Sequence, residues 1–203
     1  MEQSERKKIL KIVEQFSSDN SLKNDIHGFK HTKRVYDLSL KIGNSVGADL
    51  FILSIATLMH DIGRTREDER TVRNHAELSA EMAIDFFKNG NIKLRENEIK
   101  NIIHSIRAHS FSNNLKPKTL EAKVLSDADK LDALGAIGLY RTIGFTVNNK
   151  GGFKEVIEHL ESKILKLEQK LFLEESKILA RKRLRIIEEF YKEAEQEINH
   201  EMD

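Results

Sequence analysis

The chain of 203 residues contains no cysteine, no tryptophan and a single proline, Pro117. Without cysteine there can be no disulfide, thiolate nucleophile or cysteine-bound zinc, a usage that fits a reducing, cytoplasmic compartment. One proline and 10 glycines leave few helix breakers, and strand-like alternation of apolar and polar residues is scarce. Neither sign of charge prevails: 34 Lys and Arg stand against 33 Asp and Glu, so no global field points toward nucleic acid. No apolar run reaches the roughly 20 residues of a membrane span. The opening MEQSERKKILKIVEQF lacks the apolar stretch of a signal peptide. The expectation is a soluble cytoplasmic protein with neither a membrane nor a nucleic-acid partner.

What the sequence does have is helical period. Ile9, Leu10, Ile12, Val13 and Phe16 form a stripe over 3–18, and Val35, Leu38, Ile42 and Val46 form another over 30–46. Asp49 is placed to cap a buried helix over 50–62, and Asn74 to cap one over 75–88. Further helices are expected over 96–108, 118–129 and 131–146. From residue 153 the composition shifts: Phe153, Val156, Ile157, Leu160, Ile164, Leu167 and Leu171 recur amid Lys and Glu, and a second such segment covers 174–198. That region, 152–199, reads as a helical hairpin whose seam packs back on the domain or on a second subunit. The fold class is therefore all-α, one domain over 1–203, and a homodimer is the partner arrangement this seam suggests.

One segment conflicts with its own burial. LFILSIATLMHD, residues 50–61, is an apolar run that ends in an ionisable His60 and a charged Asp61. Burying an unpaired charge costs several kcal/mol, so the pair calls for a partner or a metal. His31 points along the buried face defined by Val35, Leu38 and Ile42. Asp127, Asp129 and Asp132 lie embedded among Val124, Leu125, Leu131 and Leu134. His31, His60, Asp61 and one of these three aspartates make a mixed nitrogen and oxygen donor set. Such a set suits Mn²⁺, Fe²⁺, Co²⁺, Ni²⁺ or Zn²⁺.

The order and flanks of these residues carry a resemblance. His31 followed by TKRVYDLSLKIG, then His60-Asp61 in LMHDIGR, then SDADKLDALGAIG, resembles the HD-domain superfamily of metal-dependent phosphohydrolases, over about residues 25–145. The resemblance implies a compact HD-domain helical bundle and a divalent metal ion (Mn, Co, Ni, Fe, Mg or Zn). Its ligands would be His31, His60, Asp61 and Asp129, the choice of Asp129 over its neighbours being the family's. The likeness is to small HD hydrolases, among them nucleotide pyrophosphohydrolases. No Gly-Tyr-Pro motif is present, which sets aside the cyclic-di-nucleotide phosphodiesterases. Ile62, Gly63 and Arg64 stand where stringent-response hydrolases carry a Glu-Asp pair.

The substrate implied is a small phosphorylated molecule, a nucleotide first. Release of pyrophosphate from a nucleoside triphosphate is the first choice, and a nucleoside monophosphate phosphatase (a 5'-nucleotidase) the second. A metal-dependent nucleotide sensor without turnover, and a purely structural helical protein, are the rival classes. Asp61 and Lys130 are the residues assigned to catalysis. Lys130 follows Asp129 directly and can offset phosphate charge, and Arg34, Arg64 and Arg141 are the other cations near the ligands in sequence. His75 and His109 are assigned to the substrate phosphate. In some HD enzymes, extra histidines in this region instead hold a second metal. His104 and His109 are five residues apart and cannot both face one ion on a continuous helix. His27, His159 and His200 read as loop or surface residues, and Glu77 and Asp68 as solvated acids.

Overall fold

The computed structural model describes residues 2–67, 74–90, 92–110 and 113–200, with the side chains of 199 and 200 left aside. Asp68 and His200 of the sequence reading therefore lie outside the described side chains. Nine α-helices and no strand occur among the described residues. They are α1 (Gln3–Asp19), α2 (Phe29–Val46), α3 (Leu50–Met59), α4 (His75–Asn89), α5 (Glu96–His109), α6 (Leu120–Asp132), α7 (Gly135–Asn148), α8 (Phe153–Ser162) and α9 (Glu174–His200). None is long and apolar enough to cross a membrane. The chain divides into two compact units, Met1–Ala128 and Asp129–Asp203.

The first unit is arranged around α3. Every residue of α3 from Phe51 to Met59 is buried, as its nearly continuous apolar sequence requires. α1, α2 and α5 pack on it, and α4 packs on α5. Asp49 caps α3 as expected, its carboxylate accepting from the Phe51 and Ile52 N–H groups. The Asp49 N–H in turn donates to Glu121 at 2.8 Å, which pins the start of α3 to α6. Ser17 on α1 donates to the Leu58 carbonyl, so the other end of α3 is held as well.

α3 is shorter than the expected 50–62. It stops at Met59, and His60 and Asp61 form a turn leading into a 3₁₀ helix over Ile62–Arg66. The cause is tertiary. A continued α-helix would give the Gly63 N–H to the Met59 carbonyl, but that N–H donates to Ser79 Oγ on α4 at 2.8 Å. Gly63 is itself required there, because a Cβ would meet the Ser79 backbone nitrogen and lie 2.5 Å from the His75 carbonyl oxygen. The absence of a side chain lets the 3₁₀ turn lie directly on the first turns of α4.

Two further boundaries move. The expected break between 118–129 and 131–146 falls instead at Ala133–Leu134. There the Ala133 and Leu134 N–H groups turn back to the Lys130 and Leu131 carbonyls, and Gly135 adopts φ +81. In the second unit the first arm of the hairpin is interrupted. α8 ends at Ser162, and two 3₁₀ turns, Ile164–Lys166 and Glu168–Lys170, lead to α9. Most of its seam nevertheless stays buried: Val156, Leu160, Ile164, Leu167 and Leu171 join Ala180, Leu184 and Ile187 of α9 in that unit's core, while Phe153 is exposed and Ile157 half-buried. The large apolar side chains left exposed include Ile137, Tyr140, Phe145 and Val147, all on α7.

Two outcomes test these supports. Gly63→Ala should lower stability by about 1–3 kcal/mol through overpacking, read as a fall in the urea midpoint; an unchanged midpoint would refute the close contact. Glu98 on α5 is almost fully buried and accepts from the Arg95 N–H and the Arg95 guanidinium, both at 2.8 Å. The Arg95 hydrogen bond holds its carboxyl below the usual glutamate range, against the opposing effect of burial, with the Arg95 and Arg6 charges assisting. A depressed acid stabilises above its unfolded value of about 4.3 and loses that contribution as pH falls through the folded value. Glu98→Gln should therefore cost about 1.5–3 kcal/mol at pH 7, and the gap from the native chain should close below about pH 4.

Candidate metal centre

Asp61 is the hub of the first unit's polar cluster. It is 4 % exposed, and four imidazoles and one guanidinium surround its carboxylate. Oδ2 lies 2.6 Å from Arg64 Nε, 3.6 Å from His31 Nε2 and 3.8 Å from His60 Nε2. Oδ1 lies 3.5 Å from the Nε2 atoms of both His75 and His109. These last two approaches do not form hydrogen bonds, and Oδ1 is a buried oxygen without a hydrogen-bond partner. Burial by itself would raise the Asp61 carboxyl. The Arg64 guanidinium, with His60, His109 and His75, outweighs that and holds it well below the usual carboxylate range.

Helix ends explain how the rings are aimed. The carbonyls of a helix's last turn lack N–H partners within the helix. His60, just past α3, turns Nδ1 onto the Thr57 carbonyl at 2.7 Å, and His109, the last residue of α5, turns Nδ1 onto the Ile106 carbonyl at 2.6 Å. A carbonyl can only accept, so in both rings Nδ1 carries the proton. In the neutral ring Nε2 is then an acceptor, within 3.5–3.8 Å of Asp61 in each case. His60 Nε2 also lies 3.4 Å from His31 Nε2, and the His60 and His109 ring centroids are 4.9 Å apart.

The donor set fits a cation. One donor atom each from His60, Asp61 and His109 lies within 4.8 Å of the others. His109 Nε2 faces the orphaned Asp61 Oδ1 at 3.5 Å, and with Nδ1 donating to Ile106 the neutral ring offers that nitrogen to a cation lodged between the two. Donors held about 2.0–2.2 Å from a divalent ion sit about 3 Å or slightly more from one another. The observed separations of 3.4–3.8 Å are close to that spacing.

Of the residues singled out in the sequence, His31, His60, Asp61, Arg64, His75 and His109 come together here. His104 does not: its Nε2 accepts from the Lys118 N–H at 2.8 Å, and burial, then the Lys118 charge, push its pKa down. The five-residue spacing sets it about 140° from His109 around α5. Arg34 is half-buried on α2, three residues beyond His31. In the second unit, Asp129 and Lys130 lie on the last turn of α6, and the Arg141 guanidinium is 2.8 Å from Asp132. Glu77 meets Arg107 at 2.8 Å, joining α4 to α5. His27 is half-buried rather than exposed, its ring 6.2 Å from that of His31.

One participant escaped the sequence reading. Glu67 accepts from the His75 N–H at 3.2 Å and lies 3.3 Å from His75 Nδ1. It sits in the run RTREDER, where one acid among several charges carries no distinguishing signal.

The family model described as HD domain matches residues 28–134. The chain is 30% identical over 180 residues to the Bacillus subtilis protein YpgQ, covering 85% of this chain and 84% of that one. A crystal structure of YpgQ in complex with ADP superposes with a TM-score of 0.75 at 24% identity, over 95% of this chain and 96% of that one. A predicted HD superfamily hydrolase from an uncultured Thermotogales bacterium superposes with a TM-score of 0.65 at 26% identity, covering 94% and 91%. HD domains bind divalent metals, and the His and Asp cluster here can hold one.

Metal-stripped protein should therefore melt at a higher temperature when Mn²⁺ or Zn²⁺ is returned. The gain is about 2.7 kcal/mol at an ion concentration a hundredfold above Kd. Asp61→Ala should remove the response. Identical melting with and without every divalent ion would exclude the centre.

Proposed function

The chain belongs to the HD-domain family, and from that premise we propose that it is a metal-dependent phosphohydrolase acting on a nucleotide. First among its reactions is the release of pyrophosphate from a nucleoside triphosphate. The observation that carries this reading is the buried Asp61 carboxylate, whose Oδ1 lacks a hydrogen-bond partner and faces histidine lone pairs. The nucleotide class draws support from the structure of the relative YpgQ in complex with ADP.

His31, His60 and Asp61 would hold the ion, with Asp129 as fourth ligand on the strength of its place in the His…His-Asp…Asp order. When bound, such an ion lowers the pKa of a water and polarises a phosphoryl oxygen. The chain's own groups supply the rest. Arg64 already reaches into the centre through Nε and is about one-fifth exposed, so its guanidinium is placed to exchange a carboxylate for a phosphate oxygen. Lys130 and Arg34 would add positive charge against the transferred group. Arg141 faces Asp132, which makes it a weaker candidate for the same task.

The tautomer of His109, and the 3.2 Å bond by which His75 Nε2 accepts from Arg64 Nη2, bear on the roles of these two rings. A neutral ring with the proton on Nδ1 has no Nε2–H to donate to a phosphate, whereas its Nε2 lone pair is a metal donor. We therefore assign both to ion binding through the Oδ1 side of Asp61, with Asp61 shared between two groups of imidazoles.

The test is product release from nucleoside mono-, di- and triphosphates with Mn²⁺, Co²⁺, Ni²⁺, Mg²⁺ and Zn²⁺ in turn, beside Asp61→Ala. Pyrophosphate from triphosphates, absent in the variant, is the expected outcome. Phosphate from monophosphates alone would assign a 5'-nucleotidase instead. Metal-dependent nucleotide binding with no product would replace the enzyme with a sensor.

A further inference from the structure

Three residues of the 3₁₀ turn and its exit form a closed ring of contacts with the first residue of α4. Arg64 gives Nε to Asp61 Oδ2 at 2.6 Å and Nη2 to His75 Nε2 at 3.2 Å. Its Nη1 lies 3.7 Å from Glu67 Oε2. The other Glu67 oxygen, Oε1, lies 3.2 Å from the His75 backbone nitrogen and 3.3 Å from His75 Nδ1. His75 Nε2 completes the ring, 3.5 Å from Asp61 Oδ1.

The chemistry of these partners fixes the ring's proton. A guanidinium can only donate, so the His75 Nε2 atom facing Arg64 is an acceptor. The Arg64 bond therefore leaves the ring hydrogen on Nδ1, which faces Glu67 Oε1 at 3.3 Å, a carboxylate oxygen that can only accept. Both contacts select the same tautomer. The same Glu67 oxygen also takes the first N–H of α4, which has no partner within the helix, at the positive end of the helix dipole. His60 and His109 obtain the same tautomer from carbonyls of their own helices, whereas His75 opens α4 and has no earlier turn of that helix. The Glu67 carboxylate faces its Nδ1 instead.

We infer that Glu67 is the positioning residue of His75: its carboxylate holds the imidazole in the Nδ1–H form and at the angle that presents the Nε2 lone pair to Asp61. The inference rests on the reading of His75 as part of the ion-binding centre. Glu67 acts through His75 and needs no contact with the substrate. Without Glu67 only the Arg64 contact would oppose exchange of the ring between its two tautomers, so part of the population should carry hydrogen on Nε2, where the ion belongs.

The experiment reads the tautomer directly. Two-bond ¹H–¹⁵N spectra of the metal-stripped full chain, labelled at histidine, separate Nδ1–H from Nε2–H rings. The His75 signals are identified by their disappearance in His75→Gln. The native chain should show Nδ1–H at His75. Glu67→Gln, which keeps an accepting oxygen, should preserve it, while Glu67→Ala should give a mixture. Calorimetric titration with Mn²⁺ should then show about 10- to 100-fold weaker binding in Glu67→Ala, with part of the loss restored in Glu67→Gln. An Nε2–H ring in the native chain overturns the inference without any variant, even if Glu67→Ala fails to fold. So does a folded Glu67→Ala that keeps the native tautomer and Mn²⁺ affinity. If tautomer and affinity follow Glu67 but no nucleotide is cut, the positioning role stands and the hydrolase reading falls. If nucleotides are cut while the tautomer ignores Glu67, the reverse holds.

Discussion

A carboxylate with almost no access to water is the constraint to which the first unit answers. Asp61 stands at the end of the most apolar helix of the chain, where an uncompensated charge would cost several kcal/mol. Arg64 compensates it on one oxygen, and imidazoles from α2, α4, α5 and the end of α3 converge on both. The packing follows from this arrangement as much as it produces it. α3 has to stop at Met59 for Asp61 to face the cluster, and the 3₁₀ turn has to lie on α4 for Arg64 and His75 to meet.

The histidines are aimed by the ordinary unfinished business of helix ends. Thr57 and Ile106 offer last-turn carbonyls that no amide reaches, and each is taken by the Nδ1 atom of a ring three residues on. That one bond satisfies the backbone, fixes the tautomer and leaves Nε2 as an acceptor. Orientation of metal-competent rings thus comes from the same local rule that terminates the helices, with no need for a dedicated set of side chains. His75 begins a helix instead of ending one, so a carboxylate replaces the carbonyl there.

Much of the fold was legible in advance because helical period is a local property. The stripes over α1 and α2 placed those helices to within a residue or so, the expected bounds of α4 and α5 fell as close, and the Asp49 and Asn74 caps were visible as residue types at the right positions. The misplaced boundaries share one cause. α3 ended early because Ser79 took a hydrogen bond from Gly63, and the break after α6 moved because Gly135 adopts a left-handed conformation. Neither Ser79 nor the φ of a particular glycine can be read from spacing. The same holds for His104 and His109: five residues apart, they could not share an ion, but which one faced the centre depended on how α5 was rotated against α3 and α4.

The sequence by itself determined the helical class, a buried helix beginning at residue 50 and the pairing of His60 with Asp61 toward its end, because apolar period and the cost of burying charge act on neighbouring residues. It also supplied the inventory of ligand-competent side chains. Only the tertiary structure decided that Asp61 takes His31 and His60 on one oxygen and His75 and His109 on the other. Only it set the tautomers of His60 and His109 and drew Glu67 out of a run of charges to His75. The physical reason is distance along the chain: residues tens of positions apart meet only when helices pack, and a proton chooses its nitrogen only after its partner has arrived.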